Sequence, residues 1–277
     1  MRENRLRALL ATDQPSLGTH IHSSWPSVVE LVGRSGNFDY IEFVAEYGPF
    51  DLYSLDNLGR AVDLFPHLSA VIKIDQEPRT FLSIRAIGSG FQNVLFADVR
   101  TAADAYECVR AVRAEAPGSG GLHGVGMRRD VGFVEEVGTP AFVKALDDAV
   151  VILMIEKAGA IENLESILEV PGVDMVNFGP ADYAMSIGVA GQLSHPDVKE
   201  AERYVIETAL ERGIAPRVEI GDPSEAAYYR SLGVKHFCLG TDVVVYSQWL
   251  RSTGTNMLEL LGRTPPGRTA SVSEYGA

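Results

Sequence analysis

A chain of 277 residues with 46% hydrophobic residues can bury one large core, and single α/β barrels commonly have this size. Its formal net charge of −13 argues against a nucleic-acid-binding protein, since phosphate recognition requires clustered Lys and Arg. The sequence shows neither a membrane-length apolar run nor a cationic leader followed by an apolar segment. Cys108 and Cys238 are far apart and typical of buried thiols in a reducing compartment. We therefore expect a cytoplasmic protein that binds neither nucleic acid nor membranes.

Short apolar runs with many β-branched residues predict buried strands along the chain. In chain order the eight runs cover residues 17–22, 39–44, 70–74, 93–96, 150–155, 174–178, 214–218 and 236–239. Between most of them, apolar residues recur with a helical period of about 3.6, and Gly residues follow several segments, as helix C-caps do. The clearest helical segments cover residues 24–34, 101–114, 196–211 and 224–232.

Strands that alternate with helices predict parallel pairing through right-handed crossovers. Eight such units favour a closed (β/α)₈ TIM barrel, and an open doubly wound sheet is the alternative because periodicity does not establish closure. We predict one barrel domain over residues 1–263. Residues 264–277 are rich in Pro, Gly and Ser and predict a flexible tail or an arm around a neighbouring subunit. We expect Arg128-Arg129-Asp130 near the active mouth or a neighbouring subunit.

Polar residues at the carboxyl ends of the predicted strands form the candidate site, because catalytic groups of parallel barrels lie there. In chain order they are His20, His22, Glu46, Tyr47, Lys73, Asp75, Glu156, Asn177, Asp182, Arg217, Glu219, Thr241 and Asp242. His20 and His22 alternate around Ile21, so both point to one face of the first strand. One of them can be hydrogen-bonded in the core. We favour His22 as the functional one, because it lies nearer the carboxyl end of the strand.

Among the carboxylates of this set, two follow the fifth and sixth predicted strands, which are neighbours. Glu156 closes the apolar run 150–155, and Asp182 follows the sixth strand. A buried strand that ends in an acid is costly unless the acid has a partner. Two such acids suit Mg²⁺ or Mn²⁺ with a chelating 2-oxo acid, whose enolate the ion would stabilise by Lewis-acid polarisation. The structural alternative is that Glu156 pairs with a Lys or Arg and Asp182 caps the next turn.

Two further features carry weaker signals. The tight turn Gly179-Pro180-Ala181 leaves the sixth strand, and its amides suit a substrate carboxylate if they open a helix. Lys73 lies inside the third apolar run, where a charged side chain needs a partner. Lys73 either contacts a substrate oxyanion, acts as a Schiff-base amine, or forms a structural ion pair, for example with Glu42 or Asp75.

These residues stand in motifs that resemble the HpcH/HpaI aldolase and citrate-lyase-type family. The stretch 151–164, with Ile155-Glu156 near its start, is similar to the metal-glutamate strand of that family. The stretch 170–182, followed by Gly188 and His195-Pro196, is similar to its metal-aspartate region. The resemblance covers residues 17–261.

The resemblance implies a modified TIM barrel with the activity of a metal-dependent class II aldolase or carbon–carbon lyase of the phosphoenolpyruvate/pyruvate type. It implies that Glu156 and Asp182 hold Mg²⁺, Mn²⁺ or a similar ion. The turn Gly179-Pro180-Ala181 would bind the pyruvate carboxylate through its amides. The family often assembles as hexamers with swapped C-terminal helices, so the resemblance implies a homo-oligomer, a trimer or a hexamer.

The chain departs from the family pattern at the residues of proton transfer. The resemblance matches the base histidine of the family with Tyr47 and its arginine on the third strand with Lys73. Glu46 corresponds to the glutamate before that histidine, and we expect it to contact substrate. Tyr47 or His22 would then move the proton, while Lys73, aided by Arg217, would stabilise oxyanion charge.

The resulting prediction is an aldolase that makes or breaks a carbon–carbon bond next to a 2-oxo acid through a metal-bound, pyruvate-type enolate. Two alternatives stay open at this point. One is a synthase or lyase that uses the same enolate with another electrophile, such as an acyl-CoA or a larger keto acid. The other is a non-catalytic metabolite-binding protein that keeps the metal site and has lost the base.

Overall fold

The strands of this protein close into a barrel in the computed structural model, which describes residues 2–265. All eight are parallel and pair in chain order, and the last strand is hydrogen-bonded to the first. Their bounds are β1 Ser16–Ile21, β2 Tyr40–Val44, β3 Ser69–Ile74, β4 Asn93–Phe96, β5 Val150–Ile155, β6 Met175–Phe178, β7 Ala215–Ile220 and β8 His236–Thr241. The predicted (β/α)₈ barrel is confirmed, and the open sheet is wrong because β1 and β8 are neighbours.

Helices surround the barrel. Within the described residues they are α1 Arg5–Ala11, α2 Pro26–Ser35, α3 Leu52–Asp63, α4 Arg79–Ser89, α5 Ala102–Val112, α6 Pro140–Asp147, α7 Ala158–Glu162, α8 Leu164–Leu168, α9 Pro180–Ser186, α10 Pro196–Glu211, α11 Ala226–Ser231 and α12 Asp242–Leu260. Three of the four clearest predicted helices are present as α2, α5 and α10. The one predicted over 224–232 is a 3₁₀ turn, Pro223–Glu225, followed by α11, since Pro223 and the Asp222 cap start a tight turn.

The apolar core has two layers, one inside the barrel and one between the strands and the helices. The inner layer includes Tyr40, Val71, Leu95, Ile152 and Met175. Every residue of β3 and of β5 is buried, as expected for parallel strands covered on both faces. The barrel interior is therefore filled with side chains, and functional groups are left to its ends.

The helix α1 has no counterpart among the predicted elements and closes the amino-terminal end of the barrel. Leu6 is fully buried in the inner layer, and the Asn4 side chain caps the helix by accepting from the backbone N–H of Arg7. The Arg7 guanidinium donates to both carboxylate oxygens of Asp174, each at 2.7 Å. With this end covered, the carboxyl ends of the strands form the open mouth.

The expectation that Arg128-Arg129-Asp130 lies near the active mouth is wrong. Arg129 pairs with Asp63 at the end of α3, and Arg128 donates to the backbone carbonyl of Ile84 in α4. Helices of a (β/α)₈ barrel run antiparallel to the strands, so the end of α3 lies at the amino-terminal side. Arg129 and Asp130 line a cavity of about 570 Å³ there, together with α1. A contact with a neighbouring subunit stays a prediction.

Three expectations concern the chain as a whole. Both cysteines are free and buried, as predicted. Across residues 2–265, none of the helices has the length and apolar character needed to cross a bilayer. Most of the predicted tail, residues 266–277, lies outside the described residues, so the domain boundary at 263 stays a prediction.

Candidate active site

Three of the predicted site residues, Lys73, Glu46 and Tyr47, meet at the mouth of the barrel. Lys73 is buried near the end of β3, and its Nζ lies 2.7 Å from Oε2 of Glu46. The same Nζ lies 3.5 Å from the hydroxyl of Tyr47 and 5.0 Å from the centre of its ring. Lys73 thus forms an ion pair, as one of the alternatives predicted, but its partner is Glu46 and not Glu42 or Asp75, because the loop after β2 brings Glu46 over the ammonium group.

The charge around Lys73 decides which chemistry its amine can perform. Burial alone would lower the pKa of Lys73, but the surrounding Glu219, Tyr47 and Glu46 hold it well above the ordinary value. The amine therefore stays an ammonium ion at neutral pH and does not suit the role of a Schiff-base nucleophile. The arrangement fits a fixed positive charge that faces a substrate oxyanion.

Tyr47 and His22 lie side by side, with ring centres 5.7 Å apart. Desolvation raises the pKa of Tyr47 to about 12, and the opposing effect of Lys73 is smaller. Tyr47 is therefore a phenol that can donate a proton but cannot act as a base near pH 7. Burial lowers the pKa of His22, and Lys73 and His20 add to this decrease while Asp242 opposes it. A neutral imidazole next to the phenol is the better proton acceptor.

The loop that carries His22 is held by the start of α12. The backbone N–H groups of His22 and Ser23 donate to the two carboxylate oxygens of Asp242, at 2.9 and 3.0 Å. His22 therefore lies just after β1, at the carboxyl end of the strand, and its functional role stays a prediction. Asp242, another member of the predicted set of polar residues, thus positions the loop through backbone bonds.

Arg217 lies inside the barrel in a network of buried polar groups. Its guanidinium pairs with Glu42, and both side chains have no exposed surface. Its Nε donates to the hydroxyl of Tyr40 at 2.9 Å, and Nη1 donates to Oδ1 of Asn177 at 3.0 Å. The predicted role of Arg217 toward a substrate oxyanion stays a prediction, while its contacts show that it anchors residues of β2 and β6.

His20 belongs to this interior network and His22 does not. The Nε2 atom of His20 lies 3.1 Å from Oε1 of Glu42 and 3.4 Å from Oε1 of Glu219. Burial alone would lower the pKa of His20, but Cys238, Glu219 and Glu42 together raise it well above the ordinary value. His20 is therefore part of the buried polar network, as the sequence allowed for one of the two histidines.

His20, Glu42 and Cys238 also satisfy the spacing of a metal site, since one ligand atom of each lies within 4.8 Å of the others. The guanidinium of Arg217 already binds Glu42, and its Nη2 lies 3.3 Å from Nε2 of His20. A metal ion there would meet a buried positive charge at close range. This trio is therefore better described as part of the ionic core.

Glu156 is the buried acid that the end of β5 predicts, with 3% of its surface exposed. Its Oε1 accepts the backbone N–H of Asp98 at 2.8 Å. Burial raises the pKa of Glu156 to about 7, the negative charge of Asp182 adds to the shift, and Lys73 opposes it. Within residues 2–265 no Lys or Arg forms a direct ion pair with Glu156, so the structural alternative does not describe this residue.

Asp182, the second predicted ligand, has a basic partner that the sequence analysis did not identify. The ammonium of Lys157 pairs with Oδ1 of Asp182 and lies 3.1 Å from Oδ1 of Asp98. Asp98 has a positive φ of 55°, which is uncommon for residues other than Gly and often marks functional sites. Asp98 follows the apolar strand β4 and Lys157 follows β5. The rule that selected Glu156, a polar residue after a buried strand, therefore also selects these two. Their pairing depends on the tertiary structure.

The turn Gly179-Pro180-Ala181 opens α9 as expected, but not all of its amides are available. Pro180 has no N–H, and the N–H of Gly179 donates to the carbonyl of Ile155 at 3.0 Å. Gly179 and Pro180 are therefore wrong as amide donors, and Ala181 with Asp182 supplies the free N–H groups of the first turn. A Cβ at Gly179 would lie 2.7 Å from Oε2 of Glu156, so only glycine leaves room beside this carboxylate.

Comparison with known proteins identifies the family of the chain. The family model for HpcH/HpaI aldolase/citrate lyase matches residues 56–248. The chain is 30% identical to the 4-hydroxy-2-oxo-heptane-1,7-dioate aldolase of Shigella boydii over 247 residues, which cover 89% of this chain and 92% of the relative. It is 29% identical to the hydroxypyruvate/pyruvate aldolase of Cupriavidus necator over 98% of both chains.

Solved structures agree with these relatives. An HpcH/HpaI aldolase/citrate lyase family protein of Burkholderia cenocepacia superposes with a TM-score of 0.83 at 30% identity, covering 94% of this chain and all of that one. The citrate synthase SbnG superposes with a TM-score of 0.82 at 19% identity, which supports the fold alone. The resemblance inferred from the sequence is thus confirmed, and the relatives support a carbon–carbon lyase. The chain belongs to the HpcH/HpaI aldolase/citrate lyase family.

Proposed function

We propose that this protein is a metal-dependent aldolase, which makes or breaks the carbon–carbon bond next to a 2-oxo acid. The named relatives, two of them aldolases that resemble this chain over most of its length, support the reaction class. The observation that carries the proposal is the buried Glu156 carboxylate at the mouth of the barrel. It forms no direct ion pair with a Lys or Arg of residues 2–265, and it interacts electrostatically with Asp182.

The residues around Glu156 fit a divalent cation. Glu156 and Asp182 offer oxygen ligands only, which suit Mg²⁺ or Mn²⁺. The absence of a side chain at Gly179 keeps the space beside Oε2 of Glu156 open. When bound, the ion would supply Lewis-acid polarisation of a 2-oxo acid.

The surrounding side chains have distinct roles in this proposal. Lys73, held by Glu46, directs a permanent positive charge toward the oxyanion that develops on the substrate. The N–H groups of Ala181 and Asp182 face the substrate carboxylate from the start of α9. Electrostatics of this kind stabilise negative charge without reorganisation of the site.

Proton transfer is assigned to the pair at the rim. His22, neutral at pH 7, accepts the proton, and Tyr47, which stays a phenol, donates one to the aldehyde oxygen or takes part in its binding. In this proposal a proton acceptor, His22, and a proton donor, Tyr47, take the place of a single base. Their ring centres are 5.7 Å apart.

We further propose that the active form is a homo-oligomer, a trimer or a hexamer. The 19-residue helix α12 contains no buried residue, and it exposes Tyr246, Trp249, Leu250 and Met257. An apolar surface of this kind on a long helix is typical of an interface. A reducing, cytoplasmic location is the companion proposal, supported by two free and buried thiols, Cys108 and Cys238.

The experiment that tests the function separates proton exchange from carbon–carbon cleavage. With Mn²⁺ or Mg²⁺ present, the protein should exchange the methyl protons of pyruvate with deuterium and cleave 4-hydroxy-2-oxo acids. Glu156→Gln should abolish both activities, while Glu200→Gln, an exposed change on α10, should retain them. Full metal-dependent turnover by Glu156→Gln would refute the proposed site, and exchange without cleavage of any such acid would favour a synthase.

A further inference from the structure

We propose that Lys157 is a tethered cation that competes with the divalent metal for Asp182, and that Asp98 takes up the ammonium group when the metal binds. The inference rests on the proposed metal site of Glu156 and Asp182. It concerns how strongly that site binds its ion, and it assigns functions to two residues that the aldolase reaction itself does not require.

The geometry places one ammonium group between two carboxylates. Lys157 follows Glu156 directly in the chain, and its Nζ contacts Oδ1 of Asp182 and lies 3.1 Å from Oδ1 of Asp98. Only 19% of the Lys157 side chain is exposed, so water screens these contacts weakly. The ammonium can shift its hydrogen bonds toward Asp98 without leaving the site, since both acceptors are already within reach.

The charges at the site explain why a second acceptor is needed. An ammonium on Asp182 neutralises one of the two carboxylates proposed to bind the metal, and it repels a divalent ion at short range. Asp98 adds one negative charge that can compensate Lys157, and the other cation near it, Arg100, is half exposed and therefore screened by water. With the ammonium on Asp98, the pair is neutral, and Glu156 with Asp182 regains the two negative charges that a divalent ion requires.

Asp98 is held in place for this role by contacts of its backbone. Its N–H donates to Oε1 of Glu156 at 2.8 Å, so the residue that accepts the lysine also orients the first metal ligand. Its positive φ of 55° is tolerated by Asp and Asn better than by most residues. Arg100, with half of its side chain exposed, approaches Oδ1 of Asp98 at 3.4 Å from the solvent side. The more buried cationic partner of Asp98 is Lys157.

Competition and simple support of Asp182 by Lys157 predict opposite effects. If Lys157 competes, Lys157→Gln removes a positive charge next to the ion and tightens Mn²⁺ binding by about tenfold, the size of effect that a neighbouring charge has on a carboxylate. If Lys157 only orients Asp182, the same change weakens Mn²⁺ binding, as the loss of a group that orients a metal ligand does.

The test is a double-mutant cycle on the full chain, with Mn²⁺ affinity measured by isothermal titration calorimetry. Asp98→Asn keeps the backbone N–H and the preference for positive φ, and it leaves the ammonium with Asp182 alone, so binding should weaken several-fold. The double variant should bind like Lys157→Gln, because Asp98 has no effect once the lysine is absent. Lys144→Gln, an exposed change at a surface ion pair on α6, is the matched control.

The outcomes separate this inference from the proposed function. Tighter binding by Lys157→Gln, with the cycle described, supports the tethered cation. Unchanged or weaker binding by Lys157→Gln, while Glu156→Gln loses binding, overturns the inference and leaves the metal site intact. Wild-type affinity in Glu156→Gln means that Mn²⁺ binds elsewhere, which overturns the proposed site and the inference together. Thermal melting of each metal-free variant verifies that the fold is retained.

Discussion

Arg217 and Glu42 form an ion pair inside the barrel, and neither side chain has exposed surface. The pair joins β7 to β2 across the interior, where Tyr40 and Asn177 satisfy other donors of the guanidinium. Two charges buried in this way stabilise little relative to an apolar pair, but each one alone is very costly. The stability of the barrel therefore depends on keeping β2 and β7 in the positions that let these two side chains pair.

Removal of one partner of this pair should destabilise the fold strongly. We expect Arg217→Met to lower the free energy of unfolding by about 3–5 kcal/mol, because the buried Glu42 carboxylate loses the guanidinium that pairs with it. Adding Glu42→Gln to Arg217→Met should recover part of this lost stability. A double-mutant cycle, with the free energy of unfolding of each variant measured by urea denaturation, tests this. Arg203→Met, an exposed change on α10, should stay within about 0.5 kcal/mol. Additive losses in the double variant would contradict the coupling.

Lys73 should act through its positive charge. Lys73→Met is expected to reduce kcat/KM for aldol cleavage by about 10²–10³, as loss of an oxyanion partner does, and Lys73→Arg should retain more activity. Because the pKa of Lys73 is raised well above its ordinary value, borohydride with pyruvate should leave the mass of the protein unchanged. A reduced pyruvyl adduct on Lys73 by mass spectrometry would show a Schiff base instead.

His22 should control the acid side of the pH profile. Its pKa is lowered by burial, so the rate of pyruvate proton exchange should fall only below about pH 6.5, as the imidazole becomes protonated. His22→Asn should slow the exchange by about 10²–10⁴ and remove this acid limb. Tyr47→Phe is the companion variant, and it should keep the limb because its phenol has a pKa of about 12. The profiles are compared at saturating Mn²⁺, because the pKa of Glu156 is about 7 and the bound ion keeps this carboxylate ionised. A limb that persists in His22→Asn under these conditions would assign the base elsewhere.

His236 should make stability depend on pH. Burial lowers the pKa of His236 to about 4, and its Nδ1 lies 2.9 Å from the hydroxyl of Ser16. The unfolded chain therefore binds a proton that the folded chain does not, so this stabilisation is complete above about pH 6.5 and is lost as the pH falls toward 4. Urea denaturation at pH 7 and pH 5 should show a contribution of about 2 kcal/mol that is missing in His236→Gln. An equal pH dependence in both proteins would contradict the assignment.

The exposed face of α12 should hold the oligomer together. Trp249 stacks on Tyr246 with ring centres 6.4 Å apart, and both are exposed in the single chain. Trp249→Glu places a charge in the proposed interface and should shift the protein to smaller species in light scattering after size-exclusion chromatography. Asn256→Glu adds the same charge at an exposed polar position of the same helix and should leave the assembly unchanged. A wild type that is already monomeric would refute the oligomer.

The sequence determined the strands and indicated most residues of the candidate site. Buried parallel strands are apolar on both faces, so the runs 70–74 and 150–155 were recognisable, and the polar residue after each run marked the mouth of the barrel. Glu156 was identified in this way, and the same rule would have included Asp98 and Lys157. The helix α1 was missed because its seven residues are too few to show a clear period.

Only the tertiary structure decided which of these groups meet. Which side chains become partners depends on barrel closure and strand register, as for Lys73 with Glu46, Arg217 with Glu42 and Lys157 with Asp98. A shift of one residue in the register of a strand would turn every side chain of that strand to the opposite face. Local sequence patterns indicate which residues are buried. They do not indicate which residues on strands far apart in the chain lie close together in the fold. For that reason the chemistry of single residues was predictable, whereas their pairing and their shifted pKa values were not.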